Sequence, residues 1–468
     1  MKTQQIQSIS LRPSGYLAVL VLPAVIVPLL IAANLNPDLR IVAAAKAGDA
    51  KAVAALIKEK VDVNATQPGG ATALAWAAQR ADDEMAQILL AAGAKPDLSN
   101  DYGETPLTLA CANGDGVLVK KLLDAGANAK AARWNGETPL MICAGNGKTE
   151  AVQQLLAKGA DLAATDQTKG QNALMWAAAQ GRAAVVKVLL ERGADINVAS
   201  KGNFTPLMFA VEKGDGETVK ELIAAGSDVN KALPDGTTPI MIAANLGQTA
   251  AALALLDKGA QPKIADKAGT TPLHSAAQAG NVELAKALVA KGADPNARTA
   301  SIAAGRGRGA GGGGGGGRGG PSGEQTPLML AARADKLEAM KALVAAGADP
   351  KLKAQDETTL LMSAAGSGHI DVVKYAYELD PAVAKATNQT GNNAVHSSVS
   401  SGLGGTTQDA VCEVVQFLYD KGVEIDMKNA QGRTAIQIAN GLPIDKAVSL
   451  MADLLKKDGR TPLISAAR

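Results

Sequence analysis

Two glycine-containing stretches of the chain have the composition of phosphate-binding segments. The first, Gly145–Thr149, reads GNGKT and resembles the end of a Walker A loop. That motif needs its first glycine five residues before Gly147, where this chain has Ile142. We therefore do not expect this stretch to bind a nucleotide.

The second stretch, residues 305–320, reads GRGRGAGGGGGGGRGG and carries three arginines. It could be an RNA-binding segment of the RGG type, a phosphate-binding loop or a flexible connection. A phosphate-binding loop needs a strand before it and a helix N-terminus after it, and the sequence provides neither at the required spacing. Three arginines without an aromatic residue for base stacking would bind RNA weakly. A flexible connection is therefore the prediction, and we expect no nucleic-acid partner.

The remaining composition favours many similar helices over one large core. The chain has 468 residues with a formal net charge of +2, and only 2% of the residues are aromatic. Such a chain has too few bulky side chains for a single large core, whereas small residues suit closely packed helices. Three cysteines and three histidines leave little for metal or nucleophile chemistry. We expect no catalytic residues, no cofactor and no metal site.

A regular internal repeat organises the chain. Thr-Pro-Leu or a close variant recurs at nearly constant spacing from Thr72 to Thr271, with a period of about 33 residues. Further copies begin at Thr326, Thr359, Asn393 and Thr434, and a degenerate copy begins at Leu39. Each copy continues into an alanine-rich helix, a glycine-containing turn and a second helix with an apolar stripe.

The residue types within one copy predict where its helices begin and end. The anchor threonine or asparagine is a preferred N-cap, because its side-chain oxygen accepts from a free backbone N–H. The proline that follows it in most copies fits the first helical position, where no N–H is needed. Gly193 and Gly292 stand where the second helix of their copy should end in a left-handed residue.

These features closely resemble the ankyrin repeat family, over residues 39–460 and in eleven anchored copies. The chain departs from the family pattern at the fourth residue of the motif that begins with the anchor. Histidine is common there in the family, but in this chain only His274 and His396 are histidines at that position. The resemblance implies an all-α solenoid of about 12 repeats. Each repeat would be a helix-turn-helix pair preceded by a hairpin finger, and would contact only its neighbours.

The repeat spacing places the glycine run within this array. The step from Thr271 to Thr326 is longer than one period, and the surplus of about 22 residues falls in the finger between two complete repeats. A smaller surplus of eight residues falls in 400–410, between the two helices of its repeat. The predicted organisation is a signal or anchor segment at 1–33, repeats at 39–300, a flexible insertion at 301–325, and repeats with a C-terminal cap at 326–468.

The predicted repeats give the cysteines and histidines structural roles. Cys111 and Cys143 fall on first helices of adjacent repeats but one residue out of equivalence, and Cys412 is far away. We interpret all three as small buried side chains and not as a disulfide framework. His274 and His396 are expected to bond to their capping residues or to the nearby backbone, and His369 occupies another position where the family often has histidine.

The N-terminus predicts export. Residues 17–33 are apolar and uncharged, they follow Lys2 and Arg12, and they end at a plausible cleavage site after Ala33. They are short for a membrane span, although an uncleaved anchor in the inner membrane is the alternative. In both cases the repeats would lie outside the cytoplasm, in the periplasm or beyond.

The function we expect is protein binding without catalysis. Tyr102, Trp134 and Phe204 lie just before consecutive or nearby anchors, at finger positions that the fold does not dictate, and they are candidate partner-binding residues. Tyr102 and Trp134 should be about 10 Å apart, the spacing of packed helix layers. The alternative is that they only hold neighbouring fingers together. Trp76 and Trp176 share a position on the first helix and are expected to pack.

The resemblance is to exported bacterial ankyrin repeat proteins and implies a monomeric scaffold for a protein partner. The alternative function is an accessory or regulatory subunit of a periplasmic or cell-surface enzyme. Gene neighbours would separate the two functions.

Overall fold

The computed structural model describes residues 39–301, 323–400 and 406–462, and the described residues form twelve pairs of α-helices. We number the pairs repeats 1 to 12. The predicted signal or anchor segment and residues 302–322 of the glycine-rich insertion lie outside the described residues. The first helices are α1 (Leu39–Ala47), α3 (Ala73–Gln79), α5 (Pro106–Asn113), α7 (Pro139–Gly145), α9 (Ala173–Ala179), α11 (Pro206–Lys213), α13 (Pro239–Asn245), α15 (Pro272–Ala279), α17 (Pro327–Arg333), α19 (Leu360–Ala365), α21 (Ala394–Ser400) and α23 (Ala435–Ala439).

The second helices pair with these in chain order. They are α2 (Ala50–Lys58), α4 (Asp83–Ala91), α6 (Gly116–Asp124), α8 (Thr149–Ala157), α10 (Ala183–Glu191), α12 (Gly216–Ala224), α14 (Thr249–Asp257), α16 (Val282–Ala290), α18 (Leu337–Ala345), α20 (Ile370–Leu379), α22 (Gln408–Asp420) and α24 (Asp445–Lys457). A short 3-10 turn, Pro381–Lys385, follows α20. The all-α solenoid predicted from the sequence is therefore confirmed.

The helix boundaries follow the local chemistry of each repeat. The hydroxyl of Thr105 accepts from the backbone N–H of Thr108, and Pro106 occupies the first helical position. Gly193 and Gly292 adopt φ angles of 87° and 98°, the left-handed conformation expected at the end of a second helix. One anchor departs from this pattern, because Thr238 makes no side-chain cap bond.

First helices pack on first helices of the neighbouring repeats, and each also packs on its own second helix. Leucines such as Leu107, Leu140 and Leu174 are 0–1% exposed between them. The alanines that follow, for example Ala110 and Ala144, are fully buried and let adjacent first helices approach closely. The core is therefore one continuous cluster that runs from repeat to repeat.

Asparagine side chains tie several repeats to their neighbours. Asn146 at the end of α7 donates through Nδ2 to the carbonyls of Cys111 and Ala112, at 2.8 and 3.0 Å, and so bonds to the last turn of α5. Asn230 bonds to both a carbonyl and an N–H of the following loop, from Gly259 and Gln261. These bonds add specificity to a stack that apolar contacts alone would hold less uniquely.

The fingers form a ladder of backbone hydrogen bonds along one edge of the solenoid. The N–H four residues before an anchor donates to the carbonyl three residues before the previous anchor, as in Lys201 to Lys169 at 2.9 Å and Lys267 to Asp235 at 2.7 Å. Pro234 occupies the donor position of repeat 7 and has no N–H. The ladder is consequently interrupted between repeats 6 and 7, where Gly202 would be the acceptor.

The finger that carries the glycine-rich insertion keeps the hydrogen bonds of an ordinary finger. Thr299 N donates to Gln325 O at 3.0 Å, as Asp266 N does to Thr270 O in the preceding repeat. The N–H of Ala300 donates to a backbone carbonyl of repeat 8, and the carbonyl of Gly323 accepts from a backbone N–H of repeat 10. The finger is therefore hydrogen-bonded to both neighbouring fingers. The surplus residues are therefore 301–322, inserted at one peptide bond of the finger.

Removal of residues 301–322 should leave the stability of the solenoid nearly unchanged. The deletion joins Ala300 to Gly323 and keeps every ladder bond named above, so we expect a change within about 0.5 kcal/mol. Thermal unfolding followed by circular dichroism would measure it. Deletion of 299–322 is the matched control, because it also removes Thr299 and Ala300 and should lower the melting temperature. A large loss for the first deletion would mean that the insertion packs on the solenoid.

The position of the eight surplus residues in repeat 11 differs in part from the prediction. We expected the eight extra residues between the two helices of repeat 11. Helix α22 instead begins at Gln408 and has 13 residues, against nine in a second helix such as α10. Part of the surplus therefore lengthens the helix, because Thr407 provides a new N-cap ahead of the apolar stripe.

Candidate functional site

Among the finger residues that the structure describes, Tyr102 and Trp134 are the most exposed large apolar side chains, with 65% and 70% of their surfaces accessible. The N–H of Trp134 donates to the carbonyl of Tyr102 at 3.2 Å, and Asn100 Oδ1 accepts from the N–H of Tyr102. Standard bond lengths then put the two α-carbons within about 7 Å. The predicted spacing, that of packed helix layers, was too long, because the two residues lie on the facing edges of adjacent fingers and not at equivalent positions.

Charged residues neighbour this aromatic pair on both fingers. Arg133 bonds to Glu104 at 2.9 Å and to Glu137 at 3.0 Å, so one guanidinium joins the fingers of repeats 3 and 4. Asp101, beside Tyr102, is exposed. Backbone and ionic contacts therefore join the two fingers, while the two aromatic side chains remain accessible to solvent.

Phe204 lies in a different environment. It is half-buried against Phe209 of α11, with the ring centroids 5.4 Å apart. The two rings line a groove of about 480 Å³ between the fingers of repeats 5 and 6, which Lys169, Lys201 and Glu212 also line. The sequence analysis grouped Phe204 with Tyr102 and Trp134 at finger positions that the fold does not dictate, but the contact with Phe209 leaves Phe204 only partly accessible. Phe209 was missed, because on sequence it is one more apolar residue of a first helix.

A row of large apolar residues continues from this groove along the first helices. They occupy the same position, four residues after the anchor, in repeats 2 to 7: Trp76, Leu109, Ile142, Trp176, Phe209 and Ile242. Trp76 and Trp176 pack against the core as predicted, although both are only partly buried. Their indole N–H groups have no hydrogen-bond partner among the described residues.

Comparison with known sequences identifies the repeat. A sequence model described as "Ankyrin repeats (3 copies)" matches residues 41–133, 113–200, 207–299 and 328–408. The chain belongs to the ankyrin repeat family. Ankyrin repeats generally mediate binding to protein partners, so the chain is a protein-interaction scaffold at this level of description.

Individual relatives are similar over short segments only. The chain is 42% identical to the mitochondrial disaggregases of Bos taurus and Homo sapiens over 67 residues, which is 14% of this chain and 10% of each relative. It is 30% identical over 116 residues to a Caenorhabditis elegans homolog of transient receptor potential cation channel subfamily A member 1, which is 25% of this chain and 9% of that protein. The chain thus spans about a tenth of the length of these relatives.

Two cysteines form a bond that the sequence analysis did not predict. Cys111 of α5 and Cys143 of α7 are joined in a disulfide, with their α-carbons 4.8 Å apart, and both are fully buried. The interpretation of these two as separate buried side chains was wrong. Adjacent first helices of ankyrin repeats pack so closely that an offset of one residue does not prevent the bond. Cys412 is a free thiol, and partial burial raises its pKa.

The histidines that match the ankyrin pattern have the predicted structural role. His274 Nδ1 accepts from the N–H of its N-cap Thr271 at 3.2 Å, and Nε2 lies 3.0 Å from the carbonyl oxygen of Gln325. Burial lowers the pKa of this imidazole, and it also lowers the pKa of His396, which contacts its own N-cap Asn393. His369 is more exposed, with Nδ1 3.3 Å from Asp335.

The GNGKT stretch is the inter-helix turn of ankyrin repeat 4. Gly145 ends α7 and Thr149 begins α8. Among residues 39–301, 323–400 and 406–462, no group of three or more histidine, cysteine or acidic side chains is placed to hold a metal ion. Within the same ranges no helix is long and apolar enough to span a membrane, and the predicted signal or anchor segment falls outside them.

Proposed function

We propose that this ankyrin repeat chain is an exported, non-catalytic scaffold that holds a protein partner on the fingers of repeats 3 to 6. The observation that carries the proposal is the exposure of Tyr102 and Trp134 side by side on the finger edge. Aromatic residues contribute a large share of the energy in many protein interfaces. Two of the few aromatic residues in a chain with 2% aromatics are placed where the fold gains little from them.

The surface proposed for the partner extends beyond this pair. The groove lined by Phe204 and Phe209 follows two repeats further along the same edge. Between the two regions the row of first-helix residues is accessible mainly at Trp176, because Leu109 and Ile142 are buried, at 7% and 6% exposure. A partner lying across repeats 3 to 6 would meet apolar contacts at the fingers and also at Trp176 and Phe209 of the first helices.

Export is the second part of the proposal, and it rests on residues 1–33 together with the buried cysteine pair. Disulfides form and persist in oxidising compartments such as the periplasm and the cell exterior. The Cys111–Cys143 bond joins two neighbouring repeats and is consistent with such a location. If the partner is an enzyme, the chain would act as its accessory or regulatory subunit.

The function is tested by removing the aromatic pair. We expect the Tyr102→Ala, Trp134→Ala double variant to capture its partner at least tenfold less well, because each truncation of a central interface aromatic typically costs about 1–4 kcal/mol. Its circular dichroism and melting temperature should stay close to wild type, because exposed side chains contribute little to stability. Affinity capture from the exported fraction with quantitative mass spectrometry would measure the loss.

A matched control is available in the same chain. Val117 and Leu246 are also exposed, at 58% and 52%, but lie on helix α6 and after helix α13, away from the finger edge. The Val117→Ala, Leu246→Ala variant removes the same number of exposed apolar side chains and should capture the partner normally. If the aromatic variant melts early and binds as before, the pair only joins the fingers and the proposed surface is wrong.

A further inference from the structure

We propose that the Tyr102–Trp134 pair receives a positively charged side chain, arginine or lysine, of the partner. This inference rests on the proposed function and names the chemistry that the finger edge of repeats 3 and 4 selects. It follows from the charges around the pair, from the accessibility of the two rings, and from how the chain uses aromatic rings elsewhere.

The charges on these two fingers leave an excess of negative charge beside the pair. Glu104 and Glu137 share the single guanidinium of Arg133, and Asp101 adds a third carboxylate next to Tyr102. Both ionic contacts of Arg133 are made within the two fingers, and its side chain is only 20% accessible. A positive group that approaches the rings from solvent would therefore be attracted by the carboxylates and would not meet an exposed guanidinium.

The backbone spacing of the two residues allows both rings to contact such a group. Their α-carbons lie within about 7 Å, so a cation between the side chains can come within the roughly 6 Å of both ring centres that a cation–π contact requires. The backbone bond from Trp134 to Tyr102 keeps this spacing fixed before binding. Binding would then have to order only the side-chain torsions of the two residues, which limits the entropy that is lost.

The chain already uses this contact inside its own fold. Lys46 lies over the ring of Trp76 at 4.9 Å, and Lys421 lies over the rings of Tyr377 and Phe417 at 5.3 and 5.5 Å. Tyr102 and Trp134 have no corresponding cation among the described residues, although they are much more accessible. The partner would supply the missing positive charge.

The second aromatic site on the finger edge has a different chemistry. The groove at Phe204 and Phe209 is lined by Lys169 and Lys201, with Glu212 as its one acidic residue. A cation approaching that groove would meet two like charges. The preference for a positive side chain is therefore expected at Tyr102 and Trp134 and not at every exposed aromatic residue of the solenoid.

The test compares two small probes that differ in charge and hardly in shape, N-acetyl-arginine amide and N-acetyl-citrulline amide. The indole N–H resonance of Trp134, identified with the Trp134→Phe variant, would be followed by NMR as each probe is added to the full chain. We expect saturable shifts with the arginine probe and at least fivefold weaker binding of citrulline. The indole signals of Trp76 and Trp176 should remain in place. Equal binding of the two probes, or no binding of either, would overturn the proposal.

Two variants test whether the carboxylate beside Tyr102 contributes to binding of the arginine probe. Asp101→Asn should weaken the arginine probe two- to fivefold, and Glu283→Gln, on helix α16 outside repeats 3 to 6, should leave its binding unchanged. If both variants bind arginine as wild type does, the excess negative charge is not used and the proposal fails. A loss of partner capture in the aromatic double variant together with equal binding of both probes would retain the proposed function and reject a basic partner. Unchanged capture would reject the proposed function itself.

Discussion

Reduction of the Cys111–Cys143 disulfide should lower the free energy of unfolding by about 3.5 kcal/mol. The bond joins residues 32 apart in sequence, and a loop of that size restricts the unfolded chain by roughly this amount. Urea unfolding with and without a dithiol reductant would measure the difference. Because the oxidised and the reduced protein have the same sequence, the side-chain packing of the two helices stays nearly constant in this comparison.

Two cysteine variants serve as controls for this experiment. The Cys111→Ala, Cys143→Ala double variant should be as stable with reductant as without it. Cys412→Ala should behave like wild type, because Cys412 is a free thiol. If wild type unfolds at the same urea concentration with and without reductant, the bond does not contribute to stability. Mass spectrometry of freshly isolated protein would also test export, since a reduced pair would contradict residence in an oxidising compartment.

Acid should destabilise the wild-type chain more than the His274→Met variant, by up to about 2 kcal/mol between pH 7 and pH 5. Burial lowers the pKa of His274 in the folded chain below its ordinary value of 6.5. Below that pH the unfolded chain binds a proton that the folded chain does not, so stability falls as the pH falls. The contribution of His274 is therefore fully present near neutral pH and is lost on acidification.

Methionine is the natural replacement for this histidine, because Met141 and Met175 occupy the same position in repeats 4 and 5. Both methionines are compatible with the same N-cap hydrogen bond. The backbone N–H of Met141, for example, donates to Thr138 Oγ1 at 3.3 Å. Urea unfolding at several pH values would compare the slopes of stability against pH. Parallel slopes for wild type and His274→Met would show that His274 is protonated as readily in the folded chain as in the unfolded one.

The sequence by itself determined the architecture of the ankyrin solenoid, because each repeat is specified by local chemistry. The threonine cap and the following proline start a first helix through bonds within a few residues, and Gly193 and Gly292 end second helices through their own backbone conformation. The regular spacing then located the glycine-rich insertion in one finger, without any information on how repeats pack.

The tertiary structure decided the contacts between repeats. Cys111 and Cys143 are 32 residues apart in sequence, and their bond depends on how closely two first helices approach. Phe204 is half-buried because Phe209 packs against it in the groove, and the Tyr102–Trp134 spacing depends on which finger edges face each other. Sequence periodicity fixes which residues lie in each repeat, but it does not fix distances between side chains of neighbouring repeats. Those distances follow from the packing of the small alanine side chains that separate the helices and from the backbone bonds that join the fingers.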